Sequence, residues 1–197
     1  MSLEEIVKKD YVENDPTLCF KTTPIWKIVV LSLLSGGFYF LILFYNYWKT
    51  LRYNFGYEIN SFFRAWFMSI TNFSLFPIFD KYFRCFGERL SVPCWFAFLF
   101  FVLCIISSAL DRITWRMEEL NATYWGAEGL NFIISILIIL MVVFIQSKIN
   151  KVNKEYFPNA PVNGWTVANT VWTVVLGLLN LLGIIISIFV LALSAVE

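Results

Sequence analysis

The sequence contains no histidine, and its four cysteines include no Cys-x-x-Cys pair. A zinc site would need at least three of these cysteines to converge from separate segments, so we predict no metal and no cofactor. No glycine-rich phosphate loop and no Ser–Lys pair accompanies the carboxylates of the loop 111–129. The sequence therefore shows no recognisable combination of catalytic residues, and we assign no catalytic residue.

Charge is scarce as well. Charged residues make up 15% of the chain and hydrophobic residues 59%, whereas a typical globular domain has about 25% and about 45–50%. A chain of 197 residues cannot bury that apolar excess in a soluble core, so lipid must cover much of it. The net charge of +1 leaves no basic surplus for neutralising phosphates, which argues against a nucleic-acid partner.

The sequence does contain long apolar segments with very few charged residues. The first, from Ile25 to Tyr47, carries one charge, Lys27; as one helix it would be ~34 Å long, against a hydrocarbon core of ~30 Å. We predict an all-α, polytopic membrane helix bundle formed by residues 25–196 after a polar tail at 1–24. Its five predicted spans cover about 25–47, 60–79, 92–110, 130–146 and 166–193.

The segment 58–82 admits two interpretations. It is apolar and aromatic, but polar residues recur near helical spacing, and Pro77 is expected to end or kink the helix. If it spans the membrane, Arg64 lies near one end and can extend toward the surface. The alternative is four spans with an interfacial or re-entrant helix at 58–82.

Basic residues predict the orientation, because short cytoplasmic loops are rich in lysine and arginine. Five spans with a cytoplasmic N-terminus put ten Lys and Arg inside and five outside; the four-span alternative puts nine inside and six outside. Both arrangements place the loop 147–164 in the cytoplasm, and the loop 111–129 and the C-terminus outside. The side of the N-terminus stays open.

Small and polar residues inside the predicted spans are candidates for helix packing. In the first span these are Ser32 and Gly36, which have small-xxx-small spacing. The last span carries a stripe near one helical face, made of Asn169, Thr173, Gly177, Asn180, Gly183 and Ser187. The stripe also fits a polar path or ligand groove, but nothing on it is ionisable. Arg64 is the polar intramembrane candidate.

Three stretches resemble a family. They are Leu31-Ser32 with Gly37-Phe38-Tyr39 and Phe44-Tyr45-x-x-Trp48, then Ser61-Phe62-Phe63-Arg64-Ala65-Trp66-Phe67, then Ile149-Asn150-x-x-Asn153. They are similar to small bacterial inner-membrane proteins that are catalogued only as a domain of unknown function. The resemblance implies a multi-pass protein of the cell inner membrane and supplies no activity.

These observations favour a non-enzymatic accessory, scaffold or assembly factor in the bilayer. Its expected partners are the lipid bilayer and a membrane protein or a second copy of the chain. A subunit of an oligomeric small-solute transporter or channel is the alternative. A weaker one is an intramembrane lipid-modifying enzyme that uses the outer carboxylates Asp111, Glu118, Glu119 and Glu128.

Overall fold

The fold of the described residues is all helical, as predicted. The computed structural model describes residues 19–116 and 122–171, together with positions 174, 175, 178, 179 and 182. The helices are α1 (Ile25–Leu34), α2 (Phe38–Tyr53), α3 (Ser61–Trp66), α4 (Met68–Arg84), α5 (Pro93–Thr114) and α6 (Ala122–Tyr156). Within these ranges the only extended pairing is an isolated parallel bridge between Thr22 and Val162.

Two of these helices are long and apolar enough to cross a membrane, α5 and the stretch Thr123–Tyr156 of α6. At 22 residues α5 is ~33 Å long, which matches a hydrocarbon core of ~30 Å. With 35 residues α6 is ~52 Å long, so its ends project well beyond such a core. The predicted span 130–146 is therefore the middle of a longer helix that continues into the predicted loop 147–164.

The predicted first span, 25–47, is two helices rather than one. Ser35, Gly36 and Gly37 form a turn between α1 and α2, and both glycines have positive φ angles, 56° and 89°. The Gly37 amide donates to the Ser32 carbonyl at 3.0 Å, which closes the end of α1. With 10 residues α1 is ~15 Å long, half of a hydrocarbon core.

The pair α1–α2 is a hairpin that returns to the end where it started. Phe20, just before α1, has its ring centroid 5.6 Å from that of Phe55, just after α2. The Asn54 side-chain amide lies 3.5 Å from the Cys19 carbonyl. The chain therefore enters α1 and leaves α2 at the same end of the bundle.

The predicted segment 58–82 is also divided, at Phe67, into α3 and α4. The Asn60 side chain caps α3 by accepting from the Phe62 and Phe63 amides. The Thr71 hydroxyl then donates to the Arg64 carbonyl at 2.6 Å, although the two residues are seven positions apart. A straight helix would separate them by ~10 Å along its axis, so the chain folds back here. Past this bend α4 continues through Pro77 to Arg84.

The end of α4 lies beside the C-terminal end of α6. The Phe86 ring, just after α4, packs on those of Tyr156 and Phe157 at centroid distances of 4.9 and 5.5 Å. The Phe55 ring, at the start of the segment 54–60 that leads into α3, lies 5.9 Å from that of Tyr82 near the end of α4. The chain therefore enters and leaves the hairpin α3–α4, with its leading segment, at this end of the bundle. The helix α5 then leads away from it and α6 leads back.

Phe20 is the centre of the core at this end. Its side chain is fully buried, and its ring contacts those of Tyr47, Phe55, Phe79 and Tyr82 at centroid distances of 5.0 to 6.2 Å. Edge-on aromatic pairs at such distances contribute about 0.5–1.5 kcal/mol each beyond their buried area. One residue of the segment before α1 thus joins both hairpins.

The turn between α1 and α2 gives a test of the hairpin. Gly37→Ala should lower the free energy of unfolding by about 1–2 kcal/mol, because a side chain is strained at φ 89°. The matched control is Gly129→Ala in α6, where the added methyl group meets open space; it should raise stability by about 0.5–1 kcal/mol. Unfolding in mixed micelles measures both. Equal effects of the two substitutions would contradict the turn.

Candidate functional site

The candidate site is a clasp in which the extended residues 19–24 are bonded to α6 and to the loop after it. Gln146, Asn150 and Asn153 project from α6 at intervals of four and three residues, so they share one face of the helix. Each donates a side-chain amide hydrogen bond to the 19–24 backbone. The acceptors are the carbonyls of Lys21 at 3.1 Å, Thr23 at 2.8 Å and Phe20 at 2.6 Å.

The other edge of the 19–24 segment is bonded to the loop that follows α6. The Thr22 amide donates to the Pro161 carbonyl at 3.0 Å, and the Asn163 amide donates to the Thr22 carbonyl at 2.7 Å. The Asn150 side-chain oxygen accepts from the Thr23 amide at 3.1 Å. The carbonyls of residues 20–23 and the amides of Thr22 and Thr23 are thereby paired without forming a helix, as buried polar groups require.

Lys27 completes the clasp from α1. Its residue is 2% exposed, and its ammonium donates to the Asn163 carbonyl, the Asn163 side-chain oxygen and the Gly164 carbonyl at 2.7 to 3.1 Å. Three oxygen acceptors match the three donors of an ammonium group. Next to it the Trp26 and Trp165 rings stack at 4.8 Å. The single charge of the first apolar run therefore bonds to a loop 136 residues away.

A hydrogen bond between side chains links the clasp to α2. The Tyr47 hydroxyl donates to the Gln146 side-chain oxygen at 2.7 Å, and both residues are buried. The Gln146 amide in turn donates to Lys21 and to Asn150. Gln146 thus uses both ends of its side chain to join three segments. In the part of the chain that the structure describes, these polar groups hold the backbone together.

A second cluster fixes the connector between α4 and α5. Lys148 donates to one Glu88 carboxylate oxygen at 2.9 Å, and Lys151 pairs with the other. The hydrogen bond from Lys151, followed by that from Lys148, lowers the pKa of Glu88 from 4.5 to about 2. On α4, Asp80 accepts from the Leu90 amide at 2.7 Å and pairs with Arg84.

The structure places the predicted packing residues of the first span apart. Ser32 is buried in α1, and its hydroxyl has no hydrogen-bond partner among the described residues. Gly36 lies in the exposed turn, with open space where its side chain would be. Gly36 therefore serves the turn, and no second helix among the described residues packs against it.

Most of the predicted stripe on the last span lies outside the described residues. Thr173, Gly177, Asn180, Gly183 and Ser187 belong to that part. Asn169 is described, and its side-chain oxygen accepts from the amide and the hydroxyl of Thr166 at 3.1 and 2.9 Å. These bonds are local to the start of the helical stretch 167–171.

Arg64 stacks on an indole ring. Its guanidinium carbon lies 4.7 Å from the centroid of the Trp48 ring, and one nitrogen lies 3.4 Å from the Ser74 hydroxyl. A cation over Trp contributes about 0.5–2 kcal/mol, depending on how much water it has lost. Among the outer carboxylates, Asp111 accepts from the Asn131 amide at 2.5 Å, and Glu118 and Glu119 lie outside the described residues.

The clasp is not predicted from the sequence. Asn150 and Asn153 belong to a stretch that carries the resemblance, and Lys27 is the one charge of the first apolar run. A usable signal was present: Gln146, Asn150 and Asn153 form a polar stripe on one helical face directly after an uncharged apolar run. Their partners are carbonyl groups in an irregular segment, and periodicity does not identify those.

Comparison with protein-family models, with curated proteins and with solved structures finds no match to this chain. The resemblance to bacterial inner-membrane proteins therefore stays a prediction. What the clasp does has to be argued from its geometry.

Asn153 gives a test of the clasp. Asn153→Leu removes the amide donor to the Phe20 carbonyl, which should cost about 1–3 kcal/mol because a buried acceptor loses its partner. With the other three cysteines replaced by alanine, maleimide should label Cys19, which is 1% exposed, faster in this variant. Lys154→Leu, at an exposed neighbouring position, is the control. Equally slow labelling in both variants would contradict the clasp.

Glu88 gives a pH test. Its pKa is lower in the folded state than in the unfolded state, so its contribution is complete above pH 4.5 and is lost as the pH falls toward 2. The melting temperature of the wild type should therefore fall more between pH 5 and pH 2 than that of Glu88→Gln. The exposed Glu58→Gln should behave as the wild type. Parallel curves for the wild type and Glu88→Gln would refute the assignment.

Proposed function

We propose that the protein is a non-enzymatic scaffold or assembly factor embedded in a membrane. The observation that carries this proposal is how its buried polar side chains are used. Lys27, Tyr47, Gln146, Asn150 and Asn153 all bond chain segments to one another. A transporter or an enzyme needs such groups facing a cavity or a substrate. Here they hold residues 19–24 and the hairpin α1–α2 against α6 and the loop after it, which is a structural task.

Membrane insertion is supported by the surface of α5. Of its 22 residues only Ala97, Phe100 and Thr114 are buried, and large apolar side chains such as Trp95 and Ile105 are exposed. An apolar surface of this extent is covered by lipid or by another protein. We place α5 and the apolar part of α6 across the bilayer, with the last apolar segment, 166–193, as a further span.

The first two predicted spans fit re-entrant hairpins better than crossings. The segments that lead into and out of α1–α2 and α3–α4, at Phe20, Phe55 and Phe86, lie near the C-terminal part of α6. We therefore propose two hairpins that enter and leave the bilayer from one face, in place of two of the five predicted spans. Lys148, Lys151 and Lys154 mark this face as cytoplasmic, because basic residues favour that side. This arrangement puts the N-terminus on the cytoplasmic side and retains the predicted positions of the loop 111–129 and the C-terminus outside.

The test is purification of the full chain from its native membrane in lipid nanodiscs, followed by mass spectrometry. A scaffold or assembly factor should retain a protein partner in fixed stoichiometry. The variant Asn153→Leu should lose that partner, whereas Lys154→Leu should keep it. Release of the chain by alkaline carbonate would refute membrane insertion. An embedded chain that retains no protein in fixed ratio would refute the scaffold role alone.

A further inference from the structure

An apolar groove of about 460 Å³ opens on the exposed surface of the α5–α6 pair, at the N-terminal end of α5. Its walls include Leu90, Trp95, Phe96, Leu99, Val102 and Phe144. Trp95 and Leu99 are 68% and 49% exposed, so the groove lies on an uncovered face of α5 within the described structure. The contact between the Phe96 and Phe144 rings, at 5.8 Å, joins the two walls.

One end of this groove carries positive charge. The Lys148 ammonium lies 5.5 Å from the centroid of the Phe144 ring and 2.9 Å from a Glu88 oxygen. Lys151 pairs with the other oxygen, and Arg89 is exposed next to the groove residue Leu90. Lys148, Lys151 and Arg89 thus outnumber the carboxylates Glu88 and Glu155, the latter of which acts on Lys151, and this leaves one surplus positive charge where the apolar walls end.

An apolar groove that ends in a cationic cluster matches the two parts of an anionic phospholipid, the acyl chain and the phosphate. The hydrocarbon tail packs against the apolar walls as it would against other lipid tails, and the phosphate gains from ammonium and guanidinium groups. The predicted last span, 166–193, carries no charged residue, so in this chain or in a second copy it would fill the walls but would place no negative charge at their end. The charge therefore favours a lipid as the occupant.

We propose that the α5–α6 groove binds one anionic phospholipid, with an acyl chain along Trp95, Leu99 and Val102 and the phosphate against Lys148 and Arg89. The site rests on the membrane insertion proposed above, since only that brings lipid to α5. It faces the side of the bilayer on which Lys148 and Lys151 lie. Bound lipid would there tie the α4–α5 connector to the membrane surface through Glu88 and its lysines.

Native mass spectrometry of the full chain tests the apolar half of the site. The chain is titrated with phosphatidylglycerol and phosphatidylcholine that carry the same acyl chains. The wild type should bind one phosphatidylglycerol at least tenfold more tightly than phosphatidylcholine. Val102→Trp, and independently Leu99→Trp, should weaken both lipids at least tenfold by filling the groove. Ile105→Trp, exposed on α5 outside the lining, is the control and should bind as the wild type.

The charged half of the site is tested by Lys148→Gln. This substitution should reduce the affinity for phosphatidylglycerol about tenfold, to that for phosphatidylcholine. The affinity for phosphatidylcholine should not change. Lys81→Gln, an exposed lysine on α4, should change neither. The proposal is overturned if both groove-filling variants match Ile105→Trp, or if Lys148→Gln matches Lys81→Gln. It is also overturned if the spectra show a dimer that Val102→Trp abolishes, since a second copy would then fill the groove. Carbonate extraction reports separately on membrane insertion.

Discussion

The bonding of residues 19–24 to the polar face of α6 is the constraint on which the rest of the structure depends. The amide and carbonyl groups of an irregular segment are not paired by nearby residues as they are in a helix, so inside a bundle they need partners from elsewhere in the chain. Three side-chain amides of α6 and the edge of the 160–164 loop supply those partners. This polar surface lets Phe20 sit in the core, where its ring contacts residues of both hairpins.

Contacts between different segments explain why the short helices α1 and α3 are stable beside a long helix. With 10 residues α1 is too short to be stable alone, and α3 has only six. Lys27 and Trp26 fix α1 to residues 163–165, while Arg64 fixes α3 to α2 through Trp48. Each short helix is therefore held by a contact with a distant part of the chain, and its own turns contribute little.

The sequence predicts the helical class and the positions of α5 and of the middle of α6, because uncharged apolar runs of spanning length have few other solutions. It does not predict that 25–47 is a hairpin. Two adjacent glycines also fit a kinked single helix, and only contacts such as Phe20 with Phe55 reveal the reversal. The clasp is not predicted for a related reason, because the sequence around an asparagine does not indicate which distant carbonyl group it binds.

The separation of the clasp partners along the chain has a consequence for biogenesis. Residues 21 and 146 are 125 positions apart, and residues 20 and 153 are 133 apart. At about 5–20 residues per second, roughly 6 to 25 s pass between the synthesis of the two sides. During this interval both hairpins have left the ribosome while their shared aromatic core lacks its partner in α6. A chaperone or insertase would therefore have to shield both hairpins until Gln146 has been synthesised.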